Sequence, residues 1–232
     1  MGNTRLSIVI PVYNEINTIM ELIRQVQEEE HSKEIIIIDD NSQDGTREVL
    51  QQLKAENIKV LFNPVTRGKG YCLRRGIPQA AGDILIIQDA DLEYSPNEYG
   101  ILIGKIIEGN ADVVYGSRFL AARRAFYSFH YLGNTVLTRI VNIVLKSNLT
   151  DVMTCYKAFK TTLIKPLVLK ADRFAIEVEI TAQIYKRGYK VAEVPVSYRG
   201  RSCKDGKKIR WTDFFDCLYW LFRSVKYSAA PE

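Results

Sequence analysis

Short apolar runs alternate with amphipathic stretches through the first half of the chain, and this alternation restricts the fold more than any other feature. Leu6 to Ile10, Glu34 to Ile38, Lys59 to Phe62, Asp83 to Ile87 and Asp112 to Tyr115 read as buried strands. Between them, Glu15 to Glu29, Thr46 to Glu56, Gly70 to Ala80 and Pro96 to Glu108 carry helical periodicity. Ser42 or Asp44 is placed to cap the second of these helices, and Ser95-Pro96 puts proline at the first position of the fourth. Such repetition predicts an α/β fold, a Rossmann-like and mostly parallel sheet with helices on both faces.

In sheets of this kind ligands sit beyond the carboxyl ends of the strands. The polar residues follow that rule. Pro11-Val12-Tyr13-Asn14-Glu15, Asp39-Asp40-Asn41-Ser42, Gln88-Asp89-Ala90-Asp91-Leu92-Glu93 and Gly116-Ser117-Arg118 each come directly after an apolar run. Four strand ends therefore deliver acids, amides and an arginine to one edge, more than helix capping alone requires.

The second half is less regular. Tyr127 to Lys146 is a long amphipathic stretch, Ile176 to Arg187 a core helix, and Trp211 to Tyr227 a helix rich in aromatics. Lys190 to Tyr198 alternates as a strand, with Pro195 favouring the sheet edge. Over 232 residues nothing resembles a linker or a repeat, so one domain with C-terminal amphipathic helices is expected. Cys72, Cys155, Cys203 and Cys217 form no CxxC pair, which argues against a zinc site or a disulfide framework. The opening residues lack a signal-peptide apolar core, and no segment is long enough and free enough of charge to span a bilayer. A net charge of +5 suits anionic partners without selecting one.

Asp89 and Asp91 are spaced to converge on one divalent ion from a turn, while Ala90 leaves room for a ligand. Magnesium or manganese prefers such oxygen donors and completes its shell with water and phosphates. Bound there, the ion would neutralise a leaving diphosphate. Glu93 is a candidate third ligand. Asp39-Asp40 lies where a nucleotide-binding fold presents an acid to a ribose or base; the same residues read equally well as a helix cap with Asn41-Ser42. No GxGxxG or P-loop motif is present, which disfavours dinucleotide enzymes and ordinary kinases.

Val9-Ile10-Pro11-Val12-Tyr13-Asn14-Glu15, Ile38-Asp39-Asp40-Asn41-Ser42-Gln43-Asp44-Gly45-Thr46 and Asp89-Ala90-Asp91-Leu92 together resemble the inverting family 2 glycosyltransferases of GT-A fold. Arg67-Gly68-Lys69-Gly70 and Gly116-Ser117-Arg118-Phe119 extend the match. Within the family, the chain is most similar to the dolichyl-phosphate mannose synthases and related polyprenyl-phosphate hexosyltransferases. The resemblance implies that Pro11, Tyr13, Glu15, Ile38, Asp40 and Lys69 hold the nucleotide sugar. It gives Asp89, Ala90 and Asp91 the diphosphate and its Mg2+ or Mn2+, with Glu93 at a position where such synthases often carry glutamine as a metal ligand.

Arg118 is then expected to face the acceptor phosphate or the sugar, and Asp91, Arg118 and Asp151 are the expected catalytic residues. The basic run after Tyr198, containing Arg199, Arg201, Lys204, Lys207 and Lys208, resembles the family loop that closes over the phosphates. Arg201 and Lys207 or Lys208, with Lys157 from the segment Asp151 to Lys157, are accordingly expected at the acceptor. Residues 1–120 would form the nucleotide-sugar half, 121–210 the acceptor side and 211–232 an aromatic C-terminal helix. Lys207 stands where processive synthases of the family carry the glutamine of Q-x-x-R-W, so a polymerase is not expected.

The implied reaction moves a hexose, mannose or glucose, from a GDP- or UDP-sugar to a polyprenyl phosphate with inversion. A phosphate monoester is largely dianionic at neutral pH and needs little general-base help. A sugar or protein hydroxyl, the alternative acceptor, requires a carboxylate base, for which Asp151 and Glu177 are candidates. A catalytically dead nucleotide-binding or membrane-scaffolding protein is the reading from another class. The amphipathic stretches around Val136 and Phe215 suit interfacial helices, so a peripheral position at the cytoplasmic face of the membrane is expected, with no nucleic-acid partner. Those helices would equally pack onto the sheet, or onto each other in a homodimer, and a separate membrane-anchoring partner is left open.

Overall fold

Ile35, Ile36, Ile37 and Ile38 are all fully buried, which a strand achieves only when both of its faces are covered. The computed structural model describes residues 4–121, 129–200 and 212–227. Strands β1 (Leu6–Val12), β2 (Lys33–Asp39), β3 (Ile58–Phe62), β4 (Ile84–Ile87), β5 (Val113–Ser117), β6 (Lys157–Lys160) and β7 (Val191–Pro195) form one sheet ordered β3-β2-β1-β4-β6-β5-β7. All run in one direction except β6, which is antiparallel to β4 and β5. As the sequence predicts, the fold is a mostly parallel, GT-A-like α/β sheet, and β7 with Pro195 lies at its edge.

The strand period of two splits the apolar residues between two cores. Val9, Ile36, Ile38, Leu85 and Ile87 enter one, and Ile8, Ile10, Ile35, Ile37 and Ile86 the other. Helices α1 (Ile19–Glu28) and α4 (Tyr99–Ile107) supply the second core. The first is covered by α3 (Lys69–Gly76), α6 (Phe129–Leu145), α8 (Ile176–Lys186) and α9 (Thr212–Tyr227). Three short helices complete the fold: α2 (Thr46–Gln51), α5 (Arg118–Ala121) and α7 (Thr161–Ile164). Close packing of α3 on the sheet requires Gly76, because a methyl there would lie 2.6 Å from Ile38 Cδ1 and 2.7 Å from Val9 Cγ1.

All four helices of the first half are shorter than their periodicity predicts, α3 ending at Gly76 and α4 starting at Tyr99. The α1 stretch starts at Ile19 rather than Glu15, because Asn14 takes a left-handed φ of 52° and residues 15–18 form a turn on the Glu15 carbonyl. Asp44 accepts the Thr46 N–H at 3.0 Å at the start of α2, which ends at Gln51 before a turn through Ala55. Pro96 opens a short 3-10 turn leading into α4, as expected of proline at a helix start. Strand β6 is absent from the sequence expectations. Chain order runs β1 to β3 outward and then returns to β4 beside β1, so the topological switch point falls between β1 and β4.

Candidate active site

The loops after β1, β2, β4 and β5 all emerge on one edge, as the strand directions require. The first two are laced together. Asn14 N–H donates to Ser42 Oγ at 2.9 Å, Gln43 N–H to Asn14 Oδ1 at 2.8 Å, and Glu15 N–H to Thr46 Oγ1 at 2.9 Å. Pro11, Tyr13 and the largely buried Glu15 are held on this edge. Asp39 is buried beneath it, paired with Arg47 at 3.2 Å.

Asp40 is used differently from the simple expectation of a ribose contact. Its buried carboxylate accepts Asn63 Nδ2–H at 2.7 Å, Arg67 N–H at 3.1 Å and Gly68 N–H at 2.6 Å, and so fixes the loop that leads into α3. Ile38 is fully buried and its side chain packs towards α3, away from this polar edge.

That loop delivers Lys69. Its ammonium donates to Asp89 Oδ1 at 2.7 Å and lies 3.1 Å from Glu177 Oε1, with the side chain only 8% exposed. Burial opposes the charge, but Asp89, Cys155 and Glu177 outweigh it and hold the ammonium well above the usual lysine range. Asp89 itself is 19% exposed. The turn carrying it is bracketed by Gln88, whose amide donates to the carbonyls of Asp89 at 3.0 Å and Tyr94 at 3.4 Å. Leu92 sits in the left-handed region with φ 59°, a costly conformation for a branched residue, and it lets Asp91 Oδ1 accept the Glu93 N–H at 3.2 Å. Ala90 turns into the core beneath.

Asp89 and Asp91 are partly exposed oxygen donors on one turn, which is the chemistry a hard divalent ion requires. Glu93 is drawn away from them: Tyr198 O–H donates to Glu93 Oε2 at 2.7 Å, and Arg199 N–H to the Glu93 carbonyl at 3.0 Å. Among the described residues no three His, Cys, Asp or Glu side chains gather closely enough to hold a metal. Substrate phosphates and water are the groups that complete the shell of such an ion in sites built on few carboxylates.

Beyond β5, Arg118 forms a two-point ion pair with the fully buried Asp151, and Asn134 of α6 donates to the same carboxylate at 2.9 Å. The guanidinium lies 5.1 Å from the centroid of the Tyr198 ring. Burial raises the Asp151 pKa, but Arg118 outweighs it and holds the carboxyl below the usual range. Lys157, expected at the acceptor, is instead fully buried, with its ammonium on Glu177 and on the Val152 and Thr154 carbonyls. Ala158 and Phe159 of β6 point into the two opposite cores, so both faces of the strand are covered here and Lys157 is removed from any surface ligand. Arg201, Lys207 and Lys208 lie outside the described residues. Tyr198, Asn134 and Glu193, which accepts the Thr150 N–H at 2.8 Å and the Asp151 N–H at 3.1 Å, were not singled out in the sequence. Only Tyr198 carried a signal there, as the residue opening the basic run.

Residues 7–167 match the family model described as glycosyl transferase family 2. A dolichol-phosphate mannosyltransferase of Pyrococcus furiosus is 26% identical over 231 residues, covering 96% of this chain and 64% of that protein. Glycosyltransferase AglJ of Haloferax volcanii is 28% identical over 196 residues, covering 84% and 63%. The chain thus spans somewhat under two thirds of the length of both relatives. Among solved structures, glucosyl-3-phosphoglycerate synthase from Mycobacterium tuberculosis, in complex with Mn2+, UDP and glucosyl-3-phosphoglycerate, superposes with a TM-score of 0.74 at 20% identity. That match covers 99% of this chain and 81% of the other and supports the fold. With an acid turn at the switch point of a GT-A-like sheet and a family match over most of its length, the chain belongs to glycosyl transferase family 2.

Proposed function

We propose that the protein transfers a hexose, mannose or glucose, from a GDP- or UDP-sugar to a polyprenyl phosphate, with inversion and with a divalent ion. One observation carries this reading: the Asp89–Asp91 turn and Arg118 stand at the ends of β4 and β5, on the same edge of the sheet. Anionic donor and anionic acceptor would thereby meet opposite kinds of side chain. The relative from Pyrococcus furiosus, whose name specifies a dolichol-phosphate acceptor, supports the lipid phosphate. Structural neighbours crystallised with Mn2+ or with Mg2+, together with UDP, support the ion and the nucleotide.

In this reaction an acceptor phosphate oxygen forms a bond to the anomeric carbon from the face opposite the diphosphate. The carbon–oxygen bond to the diphosphate breaks, and its electron pair leaves with the nucleoside diphosphate. Asp89 and Asp91 would hold a divalent ion, which would supply charge neutralisation for that leaving group. Tyr13 and Glu15 line the nucleoside edge, and Lys69 adds positive charge beside the diphosphate. Arg118, aligned by Asp151, orients the acceptor. No proton need be removed from a phosphate dianion. A hydroxyl acceptor requires a carboxylate base, and both candidates are committed elsewhere: Asp151 to Arg118 and Asn134, Glu177 to two lysines.

Approach to a lipid is supported by exposed apolar side chains on two helices, Leu132, Val136 and Ile143 on α6 and Phe215, Tyr219 and Phe222 on α9. Among the described residues no helix is long and apolar enough to cross a membrane. The test is a thermal-shift series with GDP-mannose, UDP-glucose and related sugars, with and without Mn2+, followed by a transfer assay on polyprenyl phosphate. One nucleotide sugar should stabilise the fold only when Mn2+ is present and should then be consumed by the lipid phosphate. Stabilisation with turnover on a hydroxyl acceptor and none on the lipid phosphate would refute the reading.

A further inference from the structure

We infer that Lys69 caps the metal carboxylate Asp89 until a donor diphosphate draws its ammonium away, with Glu177 as the fixed pivot behind it. This rests on the donor and ion proposed above. It assigns Glu177 and Lys157 as positioning residues, roles distinct from those of base and acceptor contact that the sequence suggested.

The geometry is a buried row of alternating charges, Asp89, Lys69, Glu177 and Lys157, whose formal charges cancel. Its inner end is immobile. Lys157 and Glu177 are fully buried, and the Lys157 ammonium is further tied to the carbonyls of Val152 and Thr154. Its outer end is the partly exposed Asp89. Lys69 is held between them unequally. It donates to Asp89 at 2.7 Å and lies farther, 3.1 Å, from Glu177 Oε1. Turning about Glu177 therefore breaks the contact at the partly exposed end of the row, that to Asp89. Only the side chain is free to do so, because Asp40 grips the Gly68 N–H and a methyl on Gly70 would lie 2.3 Å from the Ala171 carbonyl.

A divalent ion arriving alone meets a carboxylate already shared with a cation. Charges of +2 and +1 on one carboxylate repel strongly enough to weaken the ion's affinity by roughly tenfold or more. A diphosphate reverses the sign of the neighbourhood, offering the ammonium a new acceptor and leaving Asp89 to the ion. Ion and nucleotide should accordingly bind together far better than either binds alone.

The experiment follows free Mn2+ by its electron paramagnetic resonance signal while the full chain is titrated, with and without UDP or GDP. In the native chain one nucleotide should raise the affinity for Mn2+ steeply. Lys69→Met should tighten Mn2+ alone by roughly tenfold and weaken the nucleotide in the presence of Mn2+ by a similar factor, so that the coupling falls by about tenfold. Glu177→Gln should do the opposite to Mn2+ alone, because Lys69 is then left to Asp89. If Lys69→Met melts without cooperativity, Lys69→Gln is titrated in its place, and the sign of the Glu177→Gln effect stands as an independent check. Mn2+ affinity that is unchanged or weaker in the Lys69 variant overturns the inference while leaving the functional reading intact. Failure of both UDP and GDP to bind the native chain with Mn2+ overturns both.

Discussion

Arg118 and Asp151 hold each other through two parallel bonds, Nε to Oδ2 at 2.6 Å and Nη2 to Oδ1 at 2.7 Å, with the carboxylate wholly buried. A buried carboxylate is tolerated only with such compensation, so the pair is a structural commitment as much as a functional one. Asp151→Asn should lower stability by about 3 kcal/mol at neutral pH, read from the urea midpoint. Because the folded pKa of Asp151 lies below the unfolded value, its contribution is complete above pH of about 4 and is lost as pH falls through the folded value. The difference between native and variant should therefore shrink on acidification. A gap that holds constant down to pH 3 would show that the carboxylate charge is not what stabilises the pair.

Gly70 and Gly104 are both helical glycines with opposite surroundings. A methyl on Gly70 meets the Ala171 carbonyl at 2.3 Å and the Arg173 carbonyl at 2.9 Å, and backbone cannot swing aside. Around Gly104, in α4, nothing lies within 4 Å. Gly104→Ala should stabilise by up to about 1 kcal/mol through reduced freedom of the unfolded chain. Gly70→Ala should destabilise by about 2 kcal/mol and, by displacing Lys69, impair Mn2+-dependent nucleotide binding. Equal melting temperatures for the two variants would contradict this packing.

The contrast between β2 and β6 explains what the sequence could and could not reveal. Strands such as Ile35–Ile38 are legible because a parallel strand buried on both faces must be apolar throughout. The acid turn at Asp89 is legible because ligand edges follow from strand direction. β6 is hidden by its own chemistry: four residues, lysine at both ends, and a burial of Lys157 made tolerable by Glu177 of α8 together with the Val152 and Thr154 carbonyls. The same remoteness concealed the destination of Lys157 and the partners of Asp40. Which charges cancel inside a protein depends on contacts between distant segments, and no local spacing reports them.

Phe215 and Phe222, seven residues apart on α9, are exposed by 60% and 55%, near Arg223 and Lys226. Side chains already in water contribute little to folding, so replacing both by serine should shift stability by no more than about 0.5 kcal/mol each. Loss of two aromatic side chains from a lipid contact should lower binding to phosphatidylglycerol vesicles by roughly tenfold or more. Residual binding by the basic residues should then weaken with salt. Co-sedimentation equal to that of the native chain would exclude this face of α9 from the membrane contact.

Tyr198 joins the acid turn to the opening of the basic run, donating to Glu93 Oε2 at 2.7 Å while its ring packs 5.2 Å from Tyr94 and beneath Arg118. Burial, and then the Glu93 carboxylate, push the phenol above its ordinary pKa, so it remains a donor throughout the neutral range. Tyr198→Phe keeps the ring and removes the bond to a charged acceptor, at a loss of about 1.5 kcal/mol. Glu93→Gln retains an acceptor for the phenol and should lose less than half of that. The pair separates two roles for Glu93. If Glu93 anchors the segment after Tyr198, Mn2+ affinity stays within about twofold in both variants while turnover falls further in Tyr198→Phe. If Glu93 is instead a metal ligand, releasing it in Tyr198→Phe tightens Mn2+, and Glu93→Gln weakens it. The present geometry favours the anchor, and a manganese titration of the two variants decides between them.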